Sequence, residues 1–123
     1  MSKVELLETI YRKPGRLFDH LHPDFTVRSP GNSPIAGTFH GADGMREHVM
    51  YMHERSGGSF RHDTHETYLA DDNWGMVVHR MTGERNGMKL EMLGFGLWQF
   101  QDDLILTHWE RVEHPDVWDR FWS

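Results

Sequence analysis

Apolar residues first recur at helical spacing. Val4, Leu7, Ile10 and Tyr11 fall on one stripe behind Ser2-Lys3-Val4-Glu5, which has the spacing of a capping box. Pro14-Gly15 stops that helix. A second, short helix is predicted over Arg16–Leu21, with Leu17, Phe18 and Leu21 apolar. His22-Pro23-Asp24 breaks it, and Phe25-Thr26-Val27 reads as a short strand. A turn-rich loop over Ser29–Pro34 leads to a short strand at Ile35–Phe39. Gly41-Ala42-Asp43-Gly44 then opens a third helix, with Met45, Val49 and Met52 at helical spacing and Gly57-Gly58 at its end.

From Ser59 onward the period changes to that of strands. Four runs separate, at Phe60–Ala70, Trp74–Glu84, Met88–Phe100 and Leu104–Val112. Asp71-Asp72-Asn73, Asn86-Gly87 and Asp102-Asp103 punctuate them, and Asn-Gly between two strand runs is a strong hairpin signal. Gly94 and Gly96 inside the third run predict a bulge or sharp curvature. His114-Pro115-Asp116 opens a terminal turn of helix with Trp118, Phe121 and Trp122. The pattern is α+β: a bent antiparallel sheet, shaped like a cone, with N-terminal helices over one face. The mouth of a cone is a pocket.

The chain has 123 residues, enough for a single domain spanning 1–123. Apolar residues make up 37% of it, sufficient for one core. A net charge of −6 supplies no basic stripe for phosphates, so nucleic acid is not expected as a partner. No apolar run is long enough to span a bilayer, and Met1-Ser2-Lys3-Val4-Glu5 does not read as a signal peptide. With no cysteine there is no thiolate chemistry or disulfide, which fits a cytoplasmic protein. Ten histidines, eight methionines and five tryptophans change the picture more: they point to a roomy, aromatic interior with groups that titrate near neutrality.

Alternation along the strands indicates which side chains face that interior. In Trp74–Glu84 the set Val77, His79, Met81 and Gly83 is uncharged, whereas the opposite set holds Arg80 and Glu84, so His79 and Met81 point inward. A short Asp71–Asn73 turn sets His65 roughly across from His79, and a two-residue Asn86-Gly87 turn sets Gly94 across from it on the other side. Met92, Gly94, Gly96 and Trp98 share the inward face of the third run. On the last run the residues leave two parities open: His108 with Glu110 inward, or Thr107, Trp109 and Arg111.

Several motifs carry a family resemblance. They are His22-Pro23-Asp24, the stretch from Ser29 to Gly41, Gly57-Gly58-Ser59-Phe60, the Leu69-Ala70-Asp71-Asp72 turn, the closing strand through Trp109, and Asp119, Phe121 and Trp122. With this order of elements the chain resembles the SnoaL-like branch of the nuclear transport factor 2-like superfamily. The resemblance implies the cone fold, no organic cofactor and a homodimer. It also implies small-molecule chemistry of the kind run by polyketide cyclases, ketosteroid isomerase-like and limonene epoxide hydrolase-like enzymes and dehydratases, although binding modules share the fold. An inward carboxylate of the epoxide hydrolase-like members aligns near Glu110, which favours His108 and Glu110 inward.

Departures from the family narrow the chemistry. Where the isomerase-like members carry an aspartate before a proline, this chain has Ser29 before Pro30, and their second acid aligns near Gly96. The charged pair of the epoxide hydrolase-like members falls among Met92, Gly94 and their neighbours. Any catalysis must use another set, and His79, Glu110 and His108 are the candidates for moving protons. His79 also reads as a buried structural histidine, and Glu110 as a surface carboxylate paired with Arg111 or Arg80. Candidate substrate-binding residues are His65, Met81, Trp98, Tyr51, Tyr11 and Arg28, the last for an anionic group at the mouth. His62 and His65, with Asp63 between them, lie close in sequence but the two histidines point to opposite strand faces, no HExxH pattern occurs, and the one His-x-His, His20-Leu21-His22, sits where a helix gives way to a proline turn, so no metal is expected. His20, His22, His48, His53 and His114 sit at helix or loop positions and read as solvated. Two functions therefore stand side by side. One is an acid–base enzyme acting on a hydrophobic, carbonyl-bearing small molecule, with no membrane partner. The other is a ligand-binding or dimerisation module, with Trp74, Val78 and Trp109 on the face that pairs.

Overall fold

Ser2 caps the first helix as its spacing predicts. Its Oγ accepts from the Glu5 amide at 3.1 Å, and Glu5 Oε1 accepts from the Ser2 amide at 3.2 Å. In this computed structural model the backbone of residues 1–123 is described, with every side chain except those of residues 63–65. Helix α1 spans Lys3–Arg12 and buries Leu6, Leu7, Ile10 and Tyr11. The second helix is a 3-10 helix at Pro14–His20, led by its proline. Helix α2 covers Gly41–Arg55 and α3 covers Pro115–Trp122.

The strands are β1 (Leu21–Ser29), β2 (Gly37–His40), β3 (Arg61–Ala70), β4 (Trp74–Arg85), β5 (Met88–Gln101) and β6 (Leu104–Val112). They form one curved, open sheet in the order β2-β1-β6-β5-β4-β3. The meander of the last four strands is antiparallel, as alternation predicts. The first strand joins it parallel to β6, which makes the sheet mixed. That strand also runs through Pro23, read from the sequence as a break. Its pairing skips from Leu21 to Thr26, so the proline's missing N–H costs no ladder bond. Ile35 is buried in the turn before β2 rather than in the strand itself.

Asn86 and Gly87 take φ of 51° and 76°, the doubly left-handed turn that an Asn-Gly hairpin uses. The β4–β5 register therefore runs unbroken from Arg85↔Met88 to Trp74↔Gln99, with His79 facing Gly94. Of the two expectations for Gly94 and Gly96, a bulge or sharp curvature, no bulge lies at either in this curved sheet; the register shift falls between Gln99 and Phe100. Crowding above the strand explains the two glycines. A Cβ on Gly94 would lie 2.6 Å from Glu110 Oε1 and 2.8 Å from the His79 ring, and one on Gly96 would strike the Tyr11 hydroxyl.

Two apolar clusters fill the concave side. One packs α1 and the 3-10 helix on the sheet through Leu7, Ile10, Tyr11, Val27 and Trp98. The other packs α3 on β4 and β5 through Met81, Met92, Trp118, Phe121 and Trp122. Arg85 donates from Nη1 to the Phe121 carbonyl at 3.0 Å, holding the end of α3 in place. On the opposite face Trp74 is 45% exposed and stacks on Trp109, with Leu69 and Met76 exposed beside it.

Candidate functional site

Between the two clusters lies a cavity of about 380 Å³. Its exposed lining residues, Pro14, Gly15, Val49 and His53, belong to the 3-10 helix and α2, so the mouth opens between those elements. Among the described residues the rim carries no carboxylate, lysine or arginine, and most of the wall is aromatic or aliphatic. A volume near the lower end of the range for ligand sites suits a compact molecule, roughly a dozen waters' worth of space.

Three ionisable side chains meet on the sheet wall. His79 projects from β4 and is 1% exposed. His108 and Glu110 project two residues apart from β6, on the same face. His79 Nε2 donates to Glu110 Oε1 at 2.9 Å, and His108 Nε2 lies 3.3 Å from Glu110 Oε2. On its other side His108 Nδ1 donates to the Leu97 carbonyl at 3.2 Å. That bond puts a proton on Nδ1 and leaves Nε2 beside the carboxyl. His79 needs only its Nε2 proton, and its Nδ1 is buried with no partner.

Burial works to raise the Glu110 pKa. The hydrogen bonds from His108 and His79, and the charge those rings can bear, outweigh it and hold the carboxyl at about 2 instead of 4.5. Glu110 is the most accessible of the three side chains. Trp98 lies flat on His108, with ring centroids 3.7 Å apart and planes 15° from parallel, and its Nε1 donates to the Tyr11 hydroxyl at 3.2 Å. Burial, and then the negative charge of Glu110, push the Tyr11 hydroxyl well above its ordinary pKa, so it stays protonated.

The fold thus brings His79, His108 and Glu110 together and places Met81, Trp98 and Tyr11 in the same wall. It does not bring Tyr51 or Arg28 there. Tyr51 is 41% exposed and donates to Glu47 at 2.9 Å, one helical turn away on the outer side of α2. Arg28 alternates outward on β1, between the buried Val27 and Ser29. The His65 side chain lies outside the described residues. Among the described residues no group of histidines and carboxylates is arranged to hold a metal ion.

Two histidines in the lining were missed. His48, read as solvated, is 6% exposed and packs on Phe39. The signal was available, because His48 falls on the same helical stripe as Met45, Val49 and Met52. His62 also lines the cavity, its ring centroid 6.0 Å from that of His79. Its side of β3 was hidden by the two register shifts between Arg61 and Thr67.

Helices laid over one side of an open, curved sheet place the molecule among the cystatin-like, nuclear transport factor 2-like folds. Within that class it belongs to the SnoaL-like domain family, whose model matches residues 11–108. No curated protein sequence matches the chain. Among solved structures, a Xanthomonas campestris protein of unknown function with a cystatin-like fold superposes with a TM-score of 0.91. It is 23% identical and covers 100% of this chain and 99% of its own. Bal32a, from a soil-derived mobile gene cassette, gives 0.83 at 23% identity over 95% of both chains. TerC, crystallised with polyporic acid, gives 0.76 at 14% identity over 98% of this chain and 97% of its own. These likenesses establish the fold. The wider fold family includes polyketide cyclases and isomerases.

Proposed function

We propose that the protein is an enzyme that moves protons on an uncharged, mostly apolar, carbonyl-bearing small molecule of polyketide-like character, without an organic cofactor. The observation that carries this reading is the His79–Glu110–His108 contact in the wall of an otherwise apolar cavity. Glu110 is the proton acceptor, since it is ionised at neutral pH and the most open member. It takes a proton from the carbon beside the carbonyl; the C–H electron pair moves into the enolate. From Glu110 the proton goes to a different carbon in an isomerisation; in a ring closure the enolate carbon bonds to a second carbonyl of the substrate, whose oxygen takes the proton; in a loss of water the enolate expels a β-hydroxyl, which leaves with that proton. His79 and His108 hold both carboxylate oxygens in place, while Tyr11, Met81 and Trp98 shape the wall against which the substrate lies.

A probe that needs only a base in an apolar hollow tests this. 5-Nitrobenzisoxazole loses a carbon-bound proton and opens to a coloured phenolate. The wild-type protein is expected to catalyse the opening, and Glu110→Gln to reduce the rate by about 100-fold or more while remaining folded. Full activity in a folded Glu110→Gln protein would remove the triad from the mechanism.

The same reading includes a homodimer that covers Leu69, Trp74 and Met76 on the outer sheet face.

A further inference from the structure

A carboxylate held as firmly as Glu110 is a modest base, so the carbon acid it attacks must be made more acidic from elsewhere in the cavity. On the sheet wall the triad members hold one another, and the Tyr11 hydroxyl, on α1, is already tied through its oxygen to Trp98. A second group on the helices makes no hydrogen bond at all. His48 projects from α2 into the cavity lining, and its ring makes ring contact with Phe39 but no hydrogen bond. Its Nδ1 is sealed from solvent without a partner. Burying an orphan lone pair costs less than burying an orphan N–H, so the favoured tautomer keeps the proton on Nε2. Burial, helped by the charge on His108 and only partly opposed by Glu110, lowers the His48 pKa to about 4, so the ring is neutral under ordinary conditions.

We propose that His48, a neutral imidazole on α2, donates a hydrogen bond from Nε2 to the substrate's carbonyl oxygen while Glu110 takes the proton from the adjoining carbon. The substrate is then gripped from two walls, with its carbonyl toward the helix and its acidic C–H toward the sheet. A neutral imidazole suits the task, since it stabilises the developing enolate oxygen without placing a cation of its own in an apolar hollow. The ligand class follows: a compact, uncharged ketone whose carbonyl and acidic carbon are adjacent. This assignment rests on the proton-abstraction reading of Glu110, but the two are separable by experiment.

β-Tetralone, a bicyclic ketone, serves as the probe in two measurements. Exchange of its α-hydrogens in deuterated water, followed by NMR, reports proton abstraction. The carbonyl stretching frequency of the bound ketone, read by difference infrared spectroscopy, reports the hydrogen bond itself. His48→Phe keeps a ring against Phe39 and removes the donor; it is expected to raise the carbonyl frequency toward its value in an apolar solvent and to slow exchange by about 100-fold. His48→Gln restores an N–H donor and is expected to recover part of both. Glu110→Gln is expected to abolish exchange and leave the carbonyl frequency shifted. An unchanged frequency in folded His48→Phe overturns the role of His48 even if Glu110→Gln abolishes exchange. Continued exchange in Glu110→Gln, with the frequency moved only by His48→Phe, overturns the base assignment instead. Failure of the wild-type protein to bind the ketone counts against both.

Discussion

Replacing His48 with a residue that does not titrate has a consequence that can be measured without any substrate. In the unfolded chain this histidine takes up a proton near pH 6.5, whereas in the fold it resists protonation down to about pH 4. A depressed folded-state pKa contributes stability that is complete above the unfolded value and is lost as the pH falls through the window between the two. For His48 that window runs from about 6.5 to about 4, and at about 1.4 kcal/mol per pH unit the loss amounts to about 3 kcal/mol. Glu110 acts in a different window: its carboxyl, held at about 2 against 4.5, supports the fold above pH 4.5 and withdraws that support only below it. The assay is urea unfolding, read by tryptophan fluorescence, at pH values from 8 to 4. The wild-type protein is expected to lose stability progressively below pH 6.5. His48→Phe and His48→Gln are expected to lose about 3 kcal/mol less across the same interval. Parallel stability curves for wild type and both variants would refute the reasoning, because they would show that the buried ring imposes no cost on protonation.

Two further outcomes follow from the packing. Gly94→Ala puts a methyl group 2.6 Å from Glu110 Oε1 and 2.8 Å from the His79 ring, so the triad must shift; a loss of about 2 kcal/mol in unfolding free energy is expected, with a matching fall in 5-nitrobenzisoxazole opening. Analytical ultracentrifugation at micromolar concentration is expected to show a dimer for wild type and a monomer for Trp74→Glu; a wild-type monomer would contradict the covered outer face.

Much of the fold could be read from local pattern. The capping box at Ser2, the Asn86-Gly87 turn and the alternation through Val77, His79 and Met81 each depend on neighbours in sequence. The turn then fixed the β4–β5 register, which is why His79 and Gly94 were expected to face each other and do. What sequence could not supply depends on distant contacts. The parallel pairing of β1 with β6 joins segments about eighty residues apart, and no local pattern encodes a partner. Gly94 and Gly96, read as a bulge or sharp curvature, make room for groups on other strands and on α1, contacts that no local pattern encodes. Tyr51 and His48 sit three residues apart on the same helix, and their exchange of roles shows the limit of composition. The tyrosine looked like a ligand and the histidine like a surface residue, but the apolar stripe through Met45, Val49 and Met52 turned only the histidine inward.

The strand that carries Glu110 and His108 is also the last to be made, and it lies between β1 and β5. Until residues 104–112 leave the ribosome, both of those neighbours present open edges to solvent, a slot bounded on each side by unpaired backbone. Filling it draws together the early and late parts of the chain in a single long-range step, the kind that folds slowly. Cavity and topology thus arrive at the same moment: a nascent molecule that has not yet closed its slot has neither Glu110 nor His108 in its hollow.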